Sequence, residues 1–187
     1  MALFNSLGIK ENKCILFSGK TNQAKNLIKL ILKEHNDDKN IFVVFDPANY
    51  SPLMKDSLVI STNSFKPPSI ELESTSSLPE ITSAIHSVQG KPENKGILLI
   101  DSLSSMLSFN PSNAVYSFLF FESRKAKKLN YSFVCFIDER LHDNAVLINI
   151  KKMMDYNFFF EIKEKKLFIE LTAFPFNSIR KNFVFDL

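Results

Sequence analysis

The sequence lacks tryptophan, has only two cysteines and contains no long apolar run. The cysteines, Cys14 and Cys135, do not form a C-x-x-C pair, which argues against a disulfide framework and favours a reduced, cytoplasmic pair. No segment approaches the roughly 18 apolar residues of a membrane-spanning helix, and the N-terminus does not have the pattern of a secretory signal. We therefore expect a cytoplasmic protein without a membrane segment.

An excess of charge of one sign is also missing. The chain has 23 Lys and Arg against 20 Asp and Glu, a net charge of +3, which permits contact with nucleic acid but does not predict it. A length of 187 residues with 45% apolar content is enough for one domain, residues 1–187, with a sizeable core. The 19 phenylalanines are interpreted first as core residues.

Continuous apolar runs alternate with amphipathic segments along the chain. The runs have the β-branched and aromatic composition of strands and lie at Cys14–Phe17, Ile41–Phe45, Leu58–Ile60, Ile97–Ile100, Phe133–Ile137 and Phe158–Ile162. Apolar residues recur at helical spacing between them, around residues 24–31, 78–88, 115–126 and 144–154. This alternation predicts an α/β fold with a mainly parallel sheet, helices on both faces and ligands at the carboxyl ends of the strands.

Two other segments are marked by their turn residues. Ser61–Ser77 contains two adjacent prolines and many hydroxyl residues, so it is predicted to be a surface loop. Near the end of the chain, Phe158–Ile162 and Leu167–Leu171 flank a Lys-Glu-Lys-Lys turn, which predicts an antiparallel hairpin. Asn182–Phe185 is a candidate last strand.

A degenerate phosphate-binding motif follows the first predicted strand. In the pattern G-x-x-x-x-G-K-[ST], Gly19 and Lys25 occupy the first glycine and the lysine, but Ala24 replaces the second glycine and Asn26 the hydroxyl residue. A methyl group at Ala24 crowds the approach of phosphates, and the neutral amide of Asn26 is a poor ligand for Mg²⁺. The sequence therefore predicts a damaged nucleotide site in which fast hydrolysis is not expected.

A second nucleotide-binding pattern surrounds Asp101. The apolar strand Gly96–Ile100 ends at this carboxylate, and hydroxyl residues follow it. In nucleotide-binding folds an Asp here holds Mg²⁺ through water, although many strands end in Asp as a turn or helix cap. Its position after the segment Gly19–Asn26 favours the nucleotide interpretation.

Together these segments resemble the RecA/KaiC superfamily of ATPases, and in particular its small archaeal KaiC-like members. Ile15–Leu32 looks like the phosphate-loop unit, Phe42–Asp46 like the second strand, and Ile97–Leu107 like the Walker B strand and the residues after it. Phe133–His142 looks like the strand and loop that follow in that family. The resemblance implies a three-layer RecA-like fold whose central sheet is mainly parallel and ends in a C-terminal antiparallel hairpin.

The resemblance also implies roles for individual residues. Gly19, Lys25 and Asn26 would bind the phosphates of ATP, and Asp101 would hold Mg²⁺ through water. Asp46 would take the place of a catalytic glutamate that prepares the attacking water. Asp is shorter than Glu and is followed here by Pro47, where related sequences often have a second acid. With Ala24 and Asn26, this departure argues against an active ATPase.

The resulting functional hypothesis is a non-catalytic or very weak ATPase-like module. It would act as a regulatory or assembly subunit, in a homo-oligomer or a hetero-oligomer with other RecA/KaiC-like or regulatory proteins, because such sites lie between subunits. A genuine, slowly hydrolysing ATPase that uses Lys25 and Asp101 with ATP and Mg²⁺ is the first alternative. The second is a recombination-accessory protein that binds nucleic acid through the basic run Arg124–Lys128.

Overall fold

The computed structural model describes residues 3–35, 39–45, 57–62, 69–74, 76–89, 95–172 and 181–187. Within these ranges nine strands form one sheet in the order β4-β3-β2-β5-β6-β1-β7-β8-β9. The strands are β1 Cys14–Ser18, β2 Ile41–Val43, β3 Leu58–Ser61, β4 Ser69–Glu71, β5 Gly96–Ile100, β6 Tyr131–Ile137, β7 Tyr156–Lys163, β8 Lys166–Leu171 and β9 Lys181–Asp186. Neighbours from β4 to β7 are parallel, whereas β8 and β9 are added antiparallel.

Helices cover both faces of this sheet. They are α1 Leu3–Leu7, α2 Thr21–Glu34, α3 Leu78–Val88, α4 Leu103–Phe109, α5 Ser112–Lys128 and α6 Asn144–Lys152. One core cluster joins the sheet to α1 and α2, and a second joins it to the other four helices. Every residue of β1, β2, β5 and β6 is buried, as expected for continuous apolar strands covered on both faces. The predicted three-layer fold of RecA type is therefore confirmed.

The C-terminal hairpin is confirmed in register as well as in position. Lys163 of β7 pairs with Lys166 of β8, and the two residues between them, Glu164 and Lys165, have φ of 49° and 63°. Positive φ at both central residues is the geometry of a tight turn that matches the twist of the flanking strands. The candidate last strand is β9, which lies at the edge of the sheet next to β8.

Three elements depart from the predicted pattern. The strand β4 lies inside the segment Ser61–Ser77, where the prediction of a loop is wrong for Ser69–Glu71; residues 63–68 and 75 lie outside the described ranges. Tertiary pairing explains β4, because its backbone continues the parallel ladder of β3. The short helices α1 and α4 were not predicted either. The Ser102 hydroxyl starts α4 by accepting a hydrogen bond from the Ser105 N–H at 3.1 Å.

Among the residues that the structure describes, no helix is both long enough and apolar enough to cross a bilayer.

Candidate functional site

The segment predicted as a degenerate phosphate loop does not have the conformation of a loop. Strand β1 ends at Ser18 and α2 begins at Thr21, so only two residues connect them. In a phosphate-binding loop, the residues between the first glycine and the helix N-terminus wrap around the anion. Here six of the eight motif residues, 21–26, are helical instead. The helical conformation follows from the burial of Ala24 on the sheet side of α2 together with Leu27 and Ile28.

Gly19 is required for close packing at this turn. Its N–H donates to the carbonyl of Ile137 at 2.9 Å and so continues the pairing of β1 with β6. A Cβ at this position would lie only 2.5 Å from the backbone oxygen of Phe160 on β7. The approach of two backbones explains why glycine is present. A role of Gly19 in cofactor binding stays a prediction.

The remaining side chains of the motif divide between packing and solvent. The Gln23 amide accepts from the Ile162 N–H at 2.9 Å and donates to the Ile162 carbonyl at 3.4 Å, which ties the first turn of α2 to β7. Ala24 is fully buried. Lys25 and Asn26 are exposed in the second turn of the helix. Their assignment as phosphate ligands stays a prediction, because they lie past the helix terminus at which a phosphate would bind.

A carboxylate from the end of β6 lies near the N-terminus of α2. The side chain of Asp138, which follows directly after β6, is close enough to the Thr21 N–H for that group to help lower the pKa of the carboxyl. We call this carboxylate the cap of α2. The Arg140 guanidinium holds the same carboxylate, with Nε 2.9 Å from Oδ1 and Nη2 2.6 Å from Oδ2. These Arg140 hydrogen bonds are the main reason that the pKa of Asp138 lies below its usual value. A negative charge of the chain itself therefore lies where this fold would place a phosphate.

Ser104 and His142 fix the backbone around this carboxylate. The Ser104 hydroxyl accepts from the Asp138 N–H at 3.0 Å and lies 2.9 Å from Nε2 of His142. Burial lowers the pKa of His142, against the opposing effect of the Asp138 and Asp143 carboxylates. Neither Arg140 nor the Ser104 hydroxyl has a role in the sequence-based interpretation. The only local signal is the spacing Asp138-x-Arg140 after a strand, which brings a carboxylate and a guanidinium within reach.

Asp101 occupies the expected end of β5 and connects that strand to β2. Its N–H donates to the Val43 carbonyl at 3.2 Å, and its Oδ1 accepts from the Phe45 N–H at 3.1 Å. The side chain is buried. Asp46, predicted as a catalytic residue, and Pro47 after it lie outside the described residues. The role of Asp101 in holding Mg²⁺ through water therefore stays a prediction.

The binding of ATP and Mg²⁺ stays a prediction. Asn26 is exposed on α2, and one carboxylate oxygen of Asp101 is already bonded to backbone. Among the residues that the structure describes, no group of three His, Cys, Asp or Glu side chains is arranged to hold a metal ion.

The basic run at the end of α5 does not form a single charged face. Lys127 binds the Asp155 carboxylate at 2.7 Å, and the Arg124 guanidinium lies 3.9 Å from the centre of the Phe120 ring. Burial raises the pKa of the Glu122 carboxyl, and Lys125 lies close enough to oppose that rise. Because these cations have different partners on different sides of α5, the run lacks the uninterrupted stripe that nucleic-acid binding favours.

Comparison with known proteins establishes similarity of fold only. No protein-family model matches the chain, and no curated protein matches it in sequence. Among solved structures, it is similar to the crystal structure of the flagellar accessory protein FlaH from Methanocaldococcus jannaschii, with a TM-score of 0.59 and 15% identity. The match covers 98% of this chain and 90% of that one. The chain therefore shares the fold of FlaH over nearly its whole length.

Proposed function

We propose that this protein is a non-catalytic RecA-type module that acts as an assembly or regulatory subunit. The observation that carries the proposal is the cap of α2, the Asp138 carboxylate that lies near the Thr21 N–H and is held by the Arg140 guanidinium. An incoming phosphate would have to displace this carboxylate and its partner Arg140, and it would meet a helix in place of a flexible loop. The cap supports the absence of nucleotide chemistry independently of the altered residues Ala24 and Asn26.

The assembly role draws support from the surface of the molecule. Phe120 and Phe121 of α5 contact each other edge to face and are 40% and 66% exposed, and Phe109 at the end of α4 is 65% exposed. Exposed aromatic side chains on neighbouring elements are typical of protein interfaces. FlaH, which shares this architecture, is described as an accessory protein. The partner would be a second copy of this chain or another RecA-type or regulatory protein.

A thermal-shift titration with ATP, ADP and Mg²⁺ tests the non-catalytic part of the proposal. We expect no shift of the unfolding temperature at millimolar nucleotide, since a ligand stabilises a protein only when it binds the folded state. The same titration on Lys25→Ala serves as the control for the predicted phosphate ligand. A saturable rise in the wild type that Lys25→Ala abolishes would favour the alternative of a genuine ATP-binding protein.

Sedimentation velocity tests the assembly part. Phe121→Ser removes an exposed aromatic side chain of α5. Leu141→Ser is a matched control because Leu141 is also 66% exposed but lies in the short 3-10 helix Glu139–Leu141. We expect Phe121→Ser to weaken association, either of the chain with itself or with an added RecA-type protein, while Leu141→Ser leaves it unchanged. Equal effects of the two substitutions would argue against an interface at α5.

A further inference from the structure

A groove between α3 and α5 lies apart from the junction of β1 and α2. It has a volume of about 680 Å³, and its lining includes Leu78, Pro79 and Thr82 of α3 and Phe118 and Phe121 of α5. A volume of this size falls in the range of sites for small organic molecules, roughly 300–1,000 Å³. Most of the lining is apolar, so a ligand without an apolar body would gain little from entering.

Glu122 supplies a carboxylate to the lining, which also includes the polar side chains of Thr82, His86, Asn110, Ser117 and Lys125. Glu122 of α5 is 2% exposed, and its Oε1 lies 3.1 Å from Nε2 of His86 on α3. Its other oxygen, Oε2, has no hydrogen-bond partner within the part of the chain that the structure describes. A buried carboxylate oxygen without a partner is costly to a fold, and such a group calls for an explanation. A ligand that brings a hydrogen-bond donor would supply the missing partner.

Burial is the largest influence on the Glu122 carboxyl and leaves its pKa above the ordinary value. Burial raises the pKa of this carboxyl, whereas His86, Lys125 and the Thr82 hydroxyl act in the opposite direction. His86 and Lys125 also line the groove, one from each helix. His86 binds Oε1, and the buried Oε2 is the carboxylate oxygen without a hydrogen-bond partner among the described residues. An ionised acceptor roughly doubles the strength of a hydrogen bond relative to a neutral one.

We propose that the groove binds a small organic cation, in which an apolar body packs against Phe118 and Phe121 and an ammonium or amidinium group donates to Glu122. The chemical class follows from the two kinds of lining, since the aromatic walls take the body and the carboxylate takes the head. Any head reaches Glu122 beside Lys125 and His86, which line the same groove. An acidic head would place two negative charges together at Glu122, so we expect it to bind more weakly than the cation. This site does not depend on the proposed assembly function.

Isothermal titration with three matched probes tests the chemistry of the site. The probes are 4-phenylbutylamine, 4-phenylbutanol and 4-phenylbutyrate, which share an apolar body and differ in the charge of the head. We expect the amine to bind at least about tenfold more tightly than the carboxylate, with the alcohol between them. Glu122→Gln keeps the shape of the side chain and should remove most of this order. Absence of saturable binding by the amine would overturn the proposal.

Two further variants separate the head from the body of the ligand. Phe121→Ala, at a side chain that is 66% exposed, should weaken all three probes by a similar factor and leave their order intact. Glu164→Gln removes an exposed carboxylate on the turn between β7 and β8 and should change nothing. An amine preference that persists in a folded Glu122→Gln variant would contradict the assignment of Glu122.

The location of binding can be read without any variant of Glu122. In the wild-type protein, the amine should shift the methyl NMR signals of Thr82 and Ala114, which line the groove. Shifts confined to other parts of the protein would overturn the proposal, even if Glu122→Gln failed to fold.

Discussion

The start of α2 and the groove between α3 and α5 each contain a buried carboxylate, and the two carboxylates differ in their hydrogen bonding. Asp138 at α2 is surrounded by donors of the chain itself, from Thr21 and from the side chain and backbone of Arg140. Glu122 in the groove has His86 on one oxygen and no hydrogen-bond partner on the other among the described residues. The chain itself therefore provides the hydrogen-bond donors around Asp138, whereas one oxygen of Glu122 lacks a donor among the described residues.

This difference explains why sequence motifs point to the first region and the geometry points to the second. The segment Gly19–Asn26 partly matches the sequence of an anion-binding motif, but the Asp138 carboxylate of the same chain lies at the N-terminus of its helix. No sequence pattern marks the groove, whose lining comes from two helices separated along the chain. The two regions therefore carry opposite predictions, no ligand at the start of α2 and a ligand in the groove.

Among the substitutions at the start of α2, Gly19→Ala should cause the largest loss of stability. The new methyl group would lie 2.5 Å from the Phe160 carbonyl oxygen, and backbone cannot move aside as a flexible side chain can. We expect a loss of about 3 kcal/mol in the free energy of unfolding, as for other overpacked positions. Urea denaturation measures it, with the exposed neighbour Lys20→Ala as the control. A loss equal to that of the control would show that β1 and β7 can separate here at little cost.

Asp138→Ala should have the next largest effect because it removes the cap of α2 and the partner of Arg140. We expect a loss of about 2 kcal/mol in the free energy of unfolding, since the Arg140 side chain is largely exposed and its ion pair is partly screened. Nucleotide should still not bind, because removal of the cap does not create a loop. A thermal shift with Mg²⁺ and ATP that appears only in Asp138→Ala would instead show that the cap had blocked a competent site.

The pH dependence of stability gives a second test of the same cap. The pKa of Asp138 is lower in the folded state, chiefly because of its hydrogen bonds to Arg140, so protonation favours unfolding. The stabilisation is fully present above the ordinary Asp value of about 3.9 and is lost as the pH falls through the lower folded value. Urea midpoints measured across the acidic range should fall more steeply for the wild type than for Asp138→Asn. Parallel curves would mean that Asp138 titrates normally in the folded protein.

Ala24→Gly restores the second glycine of the phosphate-binding motif and should nevertheless destabilise the protein. The substitution places glycine inside α2 and removes a buried methyl group, for a combined loss of about 1.5 kcal/mol. The matched variant Lys25→Gly changes the next position of the same helix, which is exposed, and should lose only the part due to helix propensity. An increase in stability with Ala24→Gly would argue that this segment prefers a loop.

Local pattern was sufficient for most of the sheet and insufficient for the site. Continuous apolar runs predict β1, β5 and β6 because burial on both faces leaves a signal in every residue. The strand β4 has one apolar residue, Ile70, and depends on pairing with β3, which no local pattern records. Asp138 and Thr21 are close in space but far apart in sequence. No local pattern could therefore show that a carboxylate lies at the start of α2, and the segment Gly19–Asn26 is predicted as a phosphate loop.

Lys25→Ala should have the smallest effect and bears most directly on the comparison. Lys25 is exposed in the second turn of α2, and exposed substitutions away from caps and cores change stability by less than about 0.5 kcal/mol. A lysine kept for phosphate binding would show its value only with ligand, as a thermal shift that the substitution removes. If urea midpoints and thermal shifts with Mg²⁺ and ATP are the same for Lys25→Ala and the wild type, the lysine is a solvated helix residue. The start of α2 would then differ from the groove because it does not bind a ligand.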